Sequence, residues 1–169
     1  MTQPDLPKYL VHTAALTKPM SVNDRNPILS MSTNIVGTAN VANICHKYGI
    51  KFIYISTDFV YGLTEEKLRR HFILDEESKV KPSNNYGWSK LGGECVTKLI
   101  PDSLTLRCSL CDIPFRHKFA FYDVYRNSIT HQDVAKIIVK VKDETGVINV
   151  GGKYQNVYDF VSQYQEVEK

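Results

Sequence analysis

The chain reads as an α/β protein built on a parallel sheet, and two observations predict it. Short apolar runs of strand length lie at residues 9–11, 52–55, 104–106 and 147–150, each entered from Gly, Pro, Asp or Lys positions. Between and after them, at roughly 28–48, 84–100, 131–142 and 157–167, apolar residues recur at three- and four-residue steps, the period of a half-buried helix. Strand alternating with helix is the pattern of parallel strands joined by crossover helices.

Each element has a local reason. The run YLV at 9–11 leads into HTAA, where small residues end a strand; the stretch 28–48 has its apolar residues at three- and four-residue steps. FIYI at 52–55 is continuous and apolar, as a strand buried on both faces must be, and it runs into Ser56, Thr57 and Asp58. Residues 63–83 are charge-rich and end in Pro-Ser, a solvated connection long enough to form a flap. LTL at 104–106 runs into Arg107, Cys108 and Ser109. The helix at 131–142 opens with Thr130 and Asp133 spaced as a capping box.

Composition narrows the function classes. With 169 residues, 43% of them hydrophobic and 23% charged, the chain is one globular domain's worth of material with enough apolar side chains for a core. A net charge of +3, with basic residues scattered, points away from nucleic-acid partners. The apolar runs are too short to span a bilayer and the N-terminus lacks signal-peptide order, so a cytoplasmic protein is expected. The cysteines Cys45, Cys95, Cys108 and Cys111 read as reduced packing residues, including the Cys108-x-x-Cys111 pair, and the five histidines show no metal-ligand spacing. No metal site is expected.

In open parallel sheets ligands lie beyond the carboxyl ends of the strands. Here those ends are Thr13-Ala14-Ala15, Ser56-Thr57-Asp58 and Arg107-Cys108-Ser109, although Ser and Thr at strand ends commonly do no more than satisfy backbone groups. The second feature is SNNYGWSKLGGE, residues 83–94, in which Tyr86 and Lys90 are four apart and share a helix face. An ammonium beside a phenol lowers its pKa and makes a tunable proton donor; the competing reading is a chance pair on a solvated helix. Gly87, Gly92 and Gly93 each cost about 1 kcal/mol relative to Ala inside a helix, which implies close approach of some group to it.

Taken together, VHTAA, the stretch NIVGTANVANICHKYGIKFIYISTDFVYG and the Pro82–Glu94 segment with Thr57, Tyr86 and Lys90 resemble the extended short-chain dehydrogenase/reductase group over nearly the whole chain. The S-T-D strand end followed by an aromatic residue, the P-x-x-x-Y-G-x-S-K-x-x-G-E segment and INVGGK are most similar to dTDP-4-dehydrorhamnose reductases and related sugar-nucleotide reductases. The resemblance implies the C-terminal part of a doubly wound, Rossmann-like parallel sheet with flanking helices. The group's opening Gly-rich turn, G-x-x-G-x-x-G, which holds the cofactor pyrophosphate, has no counterpart in this sequence. The N-terminal βαβ units are therefore expected to be absent, and residues 1–169 to form a single truncated NAD(P)-binding domain with a reduced substrate lobe.

What the resemblance implies for function is NAD(P)-dependent reduction of a 4-keto sugar nucleotide. Thr57 polarises the carbonyl, Tyr86 donates the proton, and Lys90 holds the cofactor ribose and lowers the Tyr86 pKa. Ala14, Ala15 and Ser56, with Tyr86 and Lys90, would line the cofactor, NADP or NAD. Asp58 would bind substrate or tune the site, with simple capping of nearby amides as the plainer role. Asn34 would support the site indirectly, and Arg107, Arg116, Lys118 and Arg126 are cations that a substrate diphosphate could meet. Sugar-nucleotide dehydratases of the group carry a second acid after the Asp, where this chain has Phe59, which points away from dehydration. The alternative is a non-catalytic regulatory or binding subunit. Without the Gly-rich half, cofactor binding by the chain alone is expected to be weak or absent, and the strand at 9–14 to present an open edge to a second copy or a complementing chain.

Overall fold

A computed structural model of the chain describes residues 6–17, 19–62 and 74–169. The described residues form a four-stranded sheet in the order β1-β2-β3-β5, from β1 (Tyr9–His12), β2 (Lys51–Thr57), β3 (Leu104–Cys108) and β5 (Gly146–Val150). All three pairings are parallel, with His12 opposite Tyr54, Thr57 opposite Cys108, and Cys108 opposite Val150. A two-residue antiparallel pair, β4 (Tyr125–Arg126) with β6 (Gln155–Asn156), stands beside it.

Strand β2 shows why the sheet needs two covers. Phe52, Ile53 and Tyr54 are all buried, so consecutive side chains, which point to opposite faces, both meet protein. Phe52 and Tyr54 pack with Ala42 and Cys45 of α3 (Gly37–Tyr48), while Ile53 packs with Leu104, Leu106, Val150 and Val134 of α5 (His131–Val141). Between the two layers of helix lies the doubly wound arrangement that the alternation of periods predicts. Among the described residues, strand β1 has a neighbour on one side only, and its Val11 remains 38% exposed.

Helix boundaries follow local chemistry. Asn26 caps α2 (Pro27–Met31) by accepting from the Leu29 N–H, with Pro27 at the first helical position. The expected single helix at 28–48 runs on as a π-helical turn at Ser32–Val36 and then α3, which ends at Gly49 with φ of 65°. A short α1 (Ser21–Arg25) precedes them. Asn84 accepts from the Gly87 N–H at 2.8 Å and opens α4 (Asn85–Lys98). Thr130 accepts from the Asp133 N–H at 3.1 Å, and its hydroxyl, rather than its backbone amide, donates to the Asp133 carboxylate, at 2.9 Å. The last helix, α6 (Val157–Val161), is half the length that its apolar spacing predicts. The chain beyond it turns back so that the Glu168 N–H donates to the Lys118 carbonyl and the Ala120 N–H to the Glu168 carbonyl. A long-range pairing replaces the final helical turns. Of the expected flap, residues 63–73 lie outside the described residues.

Candidate active site

The strand ends expected to floor a crevice do lie on one side of the sheet, because every strand in it is parallel. β2 extends two residues further than its apolar run, so Ser56 and Thr57 sit inside the ladder and Asp58 begins a 3-10 turn, Asp58–Tyr61. The three polar side chains diverge. Ser56 donates to Glu94 Oε1 at 2.5 Å; Thr57 accepts from the Phe59 N–H and donates to Asp58 Oδ1, both at 3.3 Å, beside the Tyr86 phenol; Asp58 accepts from Arg126 at 2.6 Å. Capping of the 3-10 turn, through Phe59 and Asp58, is thus part of what Thr57 does.

Tyr86 and Lys90 come from the same face of α4. Tyr86 is half-buried, with Phe59 packed edge-on at 6.0 Å between ring centroids. Its phenol is pushed up to about 12 by burial, with the Thr57 bond acting the other way and the Asp58 and Cys108 charges adding to the rise. The expected lowering by Lys90 is therefore not what governs the phenol. Lys90 is turned away into the helix–sheet interface, 3% exposed, with Nζ 4.2 Å from the centroid of the Tyr54 ring. Burial lowers the Lys90 ammonium to about 8, against the opposing pull of Glu94 and Cys108.

Beneath this pair is a buried polar layer that the chain's spacing only partly announces. Arg107 grips both carboxylate oxygens of Glu94, with Nη2 to Oε2 at 2.8 Å, and its Nη1 donates to the Tyr61 hydroxyl at 2.8 Å. Arg107 is 8% exposed and committed to this pair, so it is not available to a substrate diphosphate. Arg126 is held by Asp58, with the guanidinium 5.5 Å from the Phe59 ring, whereas Arg116 and Lys118 are exposed and lie against Asp112 and Glu168.

Asn34 sits in the π-helical turn and is 1% exposed. Its amide accepts from the Leu16 N–H at 2.7 Å, donates to the Leu16 carbonyl at 3.2 Å and donates to the Ser89 hydroxyl at 2.8 Å. One side chain thereby ties the loop carrying Ala14 and Ala15, which are exposed and half-exposed, to the helix carrying Tyr86 and Lys90. π turns are common at functional sites because the extra residue re-aims one side chain. The close approach implied by the α4 glycines is the protein's own: a Cβ on Gly93 would stand 2.2 Å from the Tyr54 hydroxyl, and one on Gly92 would meet Ile35.

Sequence reasoning missed Glu94, Tyr54 and Ser89 as parts of this site. Glu94 was findable, since Tyr86, Lys90 and Glu94 repeat at four-residue steps on one helix face. Tyr54 sits inside an apolar strand and gives no such signal.

A family model described as the RmlD substrate binding domain matches residues 2–144. The chain belongs to that family. Among its curated relatives, methionine adenosyltransferase 2 subunit beta of Xenopus laevis is 33% identical over 88 residues, 52% of this chain and 24% of the relative. The dTDP-glucose 4,6-dehydratase of Mycobacterium tuberculosis is 28% identical over 113 residues, 64% of this chain and 33% of the relative. The dTDP-4-dehydrorhamnose reductase of Mycolicibacterium smegmatis is 31% identical over 99 residues, 58% and 29% respectively. The matched segments thus span a third or less of these family members' own lengths. The dTDP-4-dehydrorhamnose reductase of Bacillus anthracis, solved in complex with NADP, superposes with a TM-score of 0.77 at 22% identity, covering 94% of this chain and 61% of that one. RMD of Pseudomonas aeruginosa, complexed with NADPH, also gives 0.77 at 23% identity, covering 98% and 70%. These likenesses establish the Rossmann-like fold of the four-stranded sheet and its helices.

Proposed function

We propose that this chain carries the proton-donating half of an NAD(P)-dependent reductase that acts on a 4-keto sugar nucleotide, as the dTDP-4-dehydrorhamnose reductases do. The observation that carries the reading is the Tyr86 phenol brought beside Thr57 at the carboxyl end of β2, packed edge-on by Phe59, with Lys90 one turn behind on α4.

The residues fit the nicotinamide end of such a cofactor. Ala14 and Ala15 on the loop after β1 and the Tyr86 phenol would hold it, Ser56 is spent on Glu94, and Lys90, 3% exposed against the Tyr54 ring, would reach a ribose hydroxyl only by turning out of the interface. When bound, the reduced cofactor supplies the hydride. The protein supplies the proton: Tyr86, raised to about 12, is fully protonated at neutral pH yet far more acidic than the alcohol being formed, so its O–H transfers to the carbonyl oxygen. Thr57 donates to the same oxygen and stabilises the charge that develops there. Asp58, paired with Arg126, would tune the site or meet substrate. Phe59, packed against Tyr86, leaves no second acid to abstract a proton, which favours reduction over dehydration even though dehydratases are among the relatives.

The test is kinetic. In a protein or assembly that joins this segment to a pyrophosphate-binding half, Tyr86→Phe lowers kcat by roughly 10²- to 10⁴-fold with little change in stability, because only a proton donor is lost. An unchanged rate removes Tyr86 from the chemistry. A second reading, a non-catalytic subunit, is favoured by the likeness to methionine adenosyltransferase 2 subunit beta. Absence of turnover in every such assembly supports that reading.

A further inference from the structure

The Ser56, Glu94 and Arg107 layer is not explained by the proton transfer, although it is built at high cost. Burying a carboxylate and a guanidinium is favourable only when geometry is tight, and hydrophobic side chains of the same volume serve stability as well or better. Here the geometry is tight: three Arg107 N–H contacts to Glu94 between 2.8 and 3.2 Å, and the Ser56 hydroxyl at 2.5 Å on Oε1. The layer joins the end of β2, β3 and α4, the elements that bring Thr57 to Tyr86 and Lys90. Along α4 the order is Tyr86, Lys90, Glu94, each one turn from the next on one buried face.

We propose that Glu94 is a positioning residue of the active site: held by Arg107, its carboxylate clamps Ser56, and with it the end of β2, against the face of α4 that carries Tyr86 and Lys90, and presents the negative charge that keeps the buried Lys90 an ammonium. The inference rests on the reductase-type reading only for what the site is used for. The groups facing Lys90 are Glu94 from its own helix, Cys108 from β3, Tyr54 from β2 and His12 from β1. Tyr54 offers a ring face and a hydroxyl that donates to the Lys90 carbonyl at 3.3 Å; its phenol is raised by burial, and it carries no charge at neutral pH. The Cys108 thiol is pushed up to about 12 by burial and is neutral there. His12 is lowered by burial and by Lys90 itself and is likewise uncharged above neutrality. That leaves Glu94 as the fixed anion of the set.

The experiment reads Lys90 directly, by the pH dependence of its 13Cε signal in the 169-residue chain labelled at lysine, the signal being assigned by its loss in Lys90→Met. The wild-type midpoint lies near 8. In Glu94→Gln, which keeps the side-chain volume, the midpoint falls by about one pH unit or more, a tenfold loss of proton affinity. Glu94→Gln leaves Arg107 unpaired, so the double variant Glu94→Leu with Arg107→Leu is measured beside it; both charges are gone, the fold is not left with a lone cation, and the Lys90 midpoint falls in the same direction. A folded variant of either kind with an unchanged midpoint overturns the proposal, as does a folded double variant whose midpoint rises. Because the readout is a proton equilibrium, it stands apart from the kinetic test: loss of the reductase reading shows as a rate indifferent to Tyr86, and loss of this one as a lysine indifferent to Glu94.

Discussion

At the residue scale, Lys90 has the clearest consequence for stability. Its ordinary pKa is 10.5 and its folded value about 8, so between those limits the unfolded chain holds a proton that the folded chain has released. Stability therefore rises with pH across that window, and below pH 8 the cost of burying the charge is fully present. A shift of this size corresponds to roughly 3 kcal/mol. Urea denaturation of the wild type and Lys90→Met at pH 7 and pH 9.5 checks it: the variant is the more stable at pH 7, and the gap narrows at pH 9.5. A gap independent of pH contradicts the assignment. Tyr86 acts in the opposite sense and higher up, since a phenol raised from 10 to about 12 costs stability as pH climbs through that range.

At the element scale, α4 and β2 fit through a missing side chain. The Tyr54 hydroxyl occupies the place where a residue other than glycine at 93 would put its Cβ, and Tyr54 is fully buried between α3, α4 and the sheet. Gly93→Ala gains about 1 kcal/mol of helix propensity. It forces a buried ring to move in a packed core, which costs roughly 1–3 kcal/mol. The net expectation is a lower denaturation midpoint, with the Lys90 Nζ displaced from the ring that supports it. Gly92→Ala is milder, because the group it meets is the flexible end of Ile35. A Gly93→Ala variant at or above wild-type stability would mean that the two elements are not packed this closely. The glycine pattern in SKLGGE was legible as a demand for close approach; that the approaching group is Tyr54, and not a ligand, depends on the register of two elements far apart in sequence.

At the scale of the whole molecule, the sheet has two consequences. Among the described residues β1 stands at an edge with one neighbour, and Val11 on it is exposed. Unpaired strand edges are templates for association, and a lysine on the edge blocks it. Sedimentation of the 169-residue chain is expected to show dimers or larger species that Val11→Lys reduces to monomer; a monomeric wild type refutes this. The chain also has no Gly-rich turn of the G-x-x-G-x-x-G kind, so the residues that would grip a cofactor are confined to the nicotinamide end. Calorimetric titration with NADH and NADPH should give affinities no tighter than about millimolar, roughly 4 kcal/mol. Micromolar binding to a stable monomer would show that a pyrophosphate grip of that kind is dispensable.

The sequence by itself determined the fold class, the order of strands and helices along the chain, the cap at Thr130, and the placing of Tyr86 and Lys90 on one helix face. All of these depend on residues close in sequence or on a period of two or of three to four, which local physics reads directly. Only the tertiary structure decided where the charges went. The neighbourhood of Lys90 and Tyr86 is made by Tyr54, Glu94, Thr57 and Cys108, which converge from two strands and a helix, and it turned an expected mutual lowering of the phenol into a buried, protonated one. It committed Arg107 to Glu94 and Arg126 to Asp58 rather than to solvent, and it ended α6 early in favour of a pairing with residues 118–120. Burial and Coulomb interaction depend on distance in space, and a spacing along the chain fixes that distance only within one element.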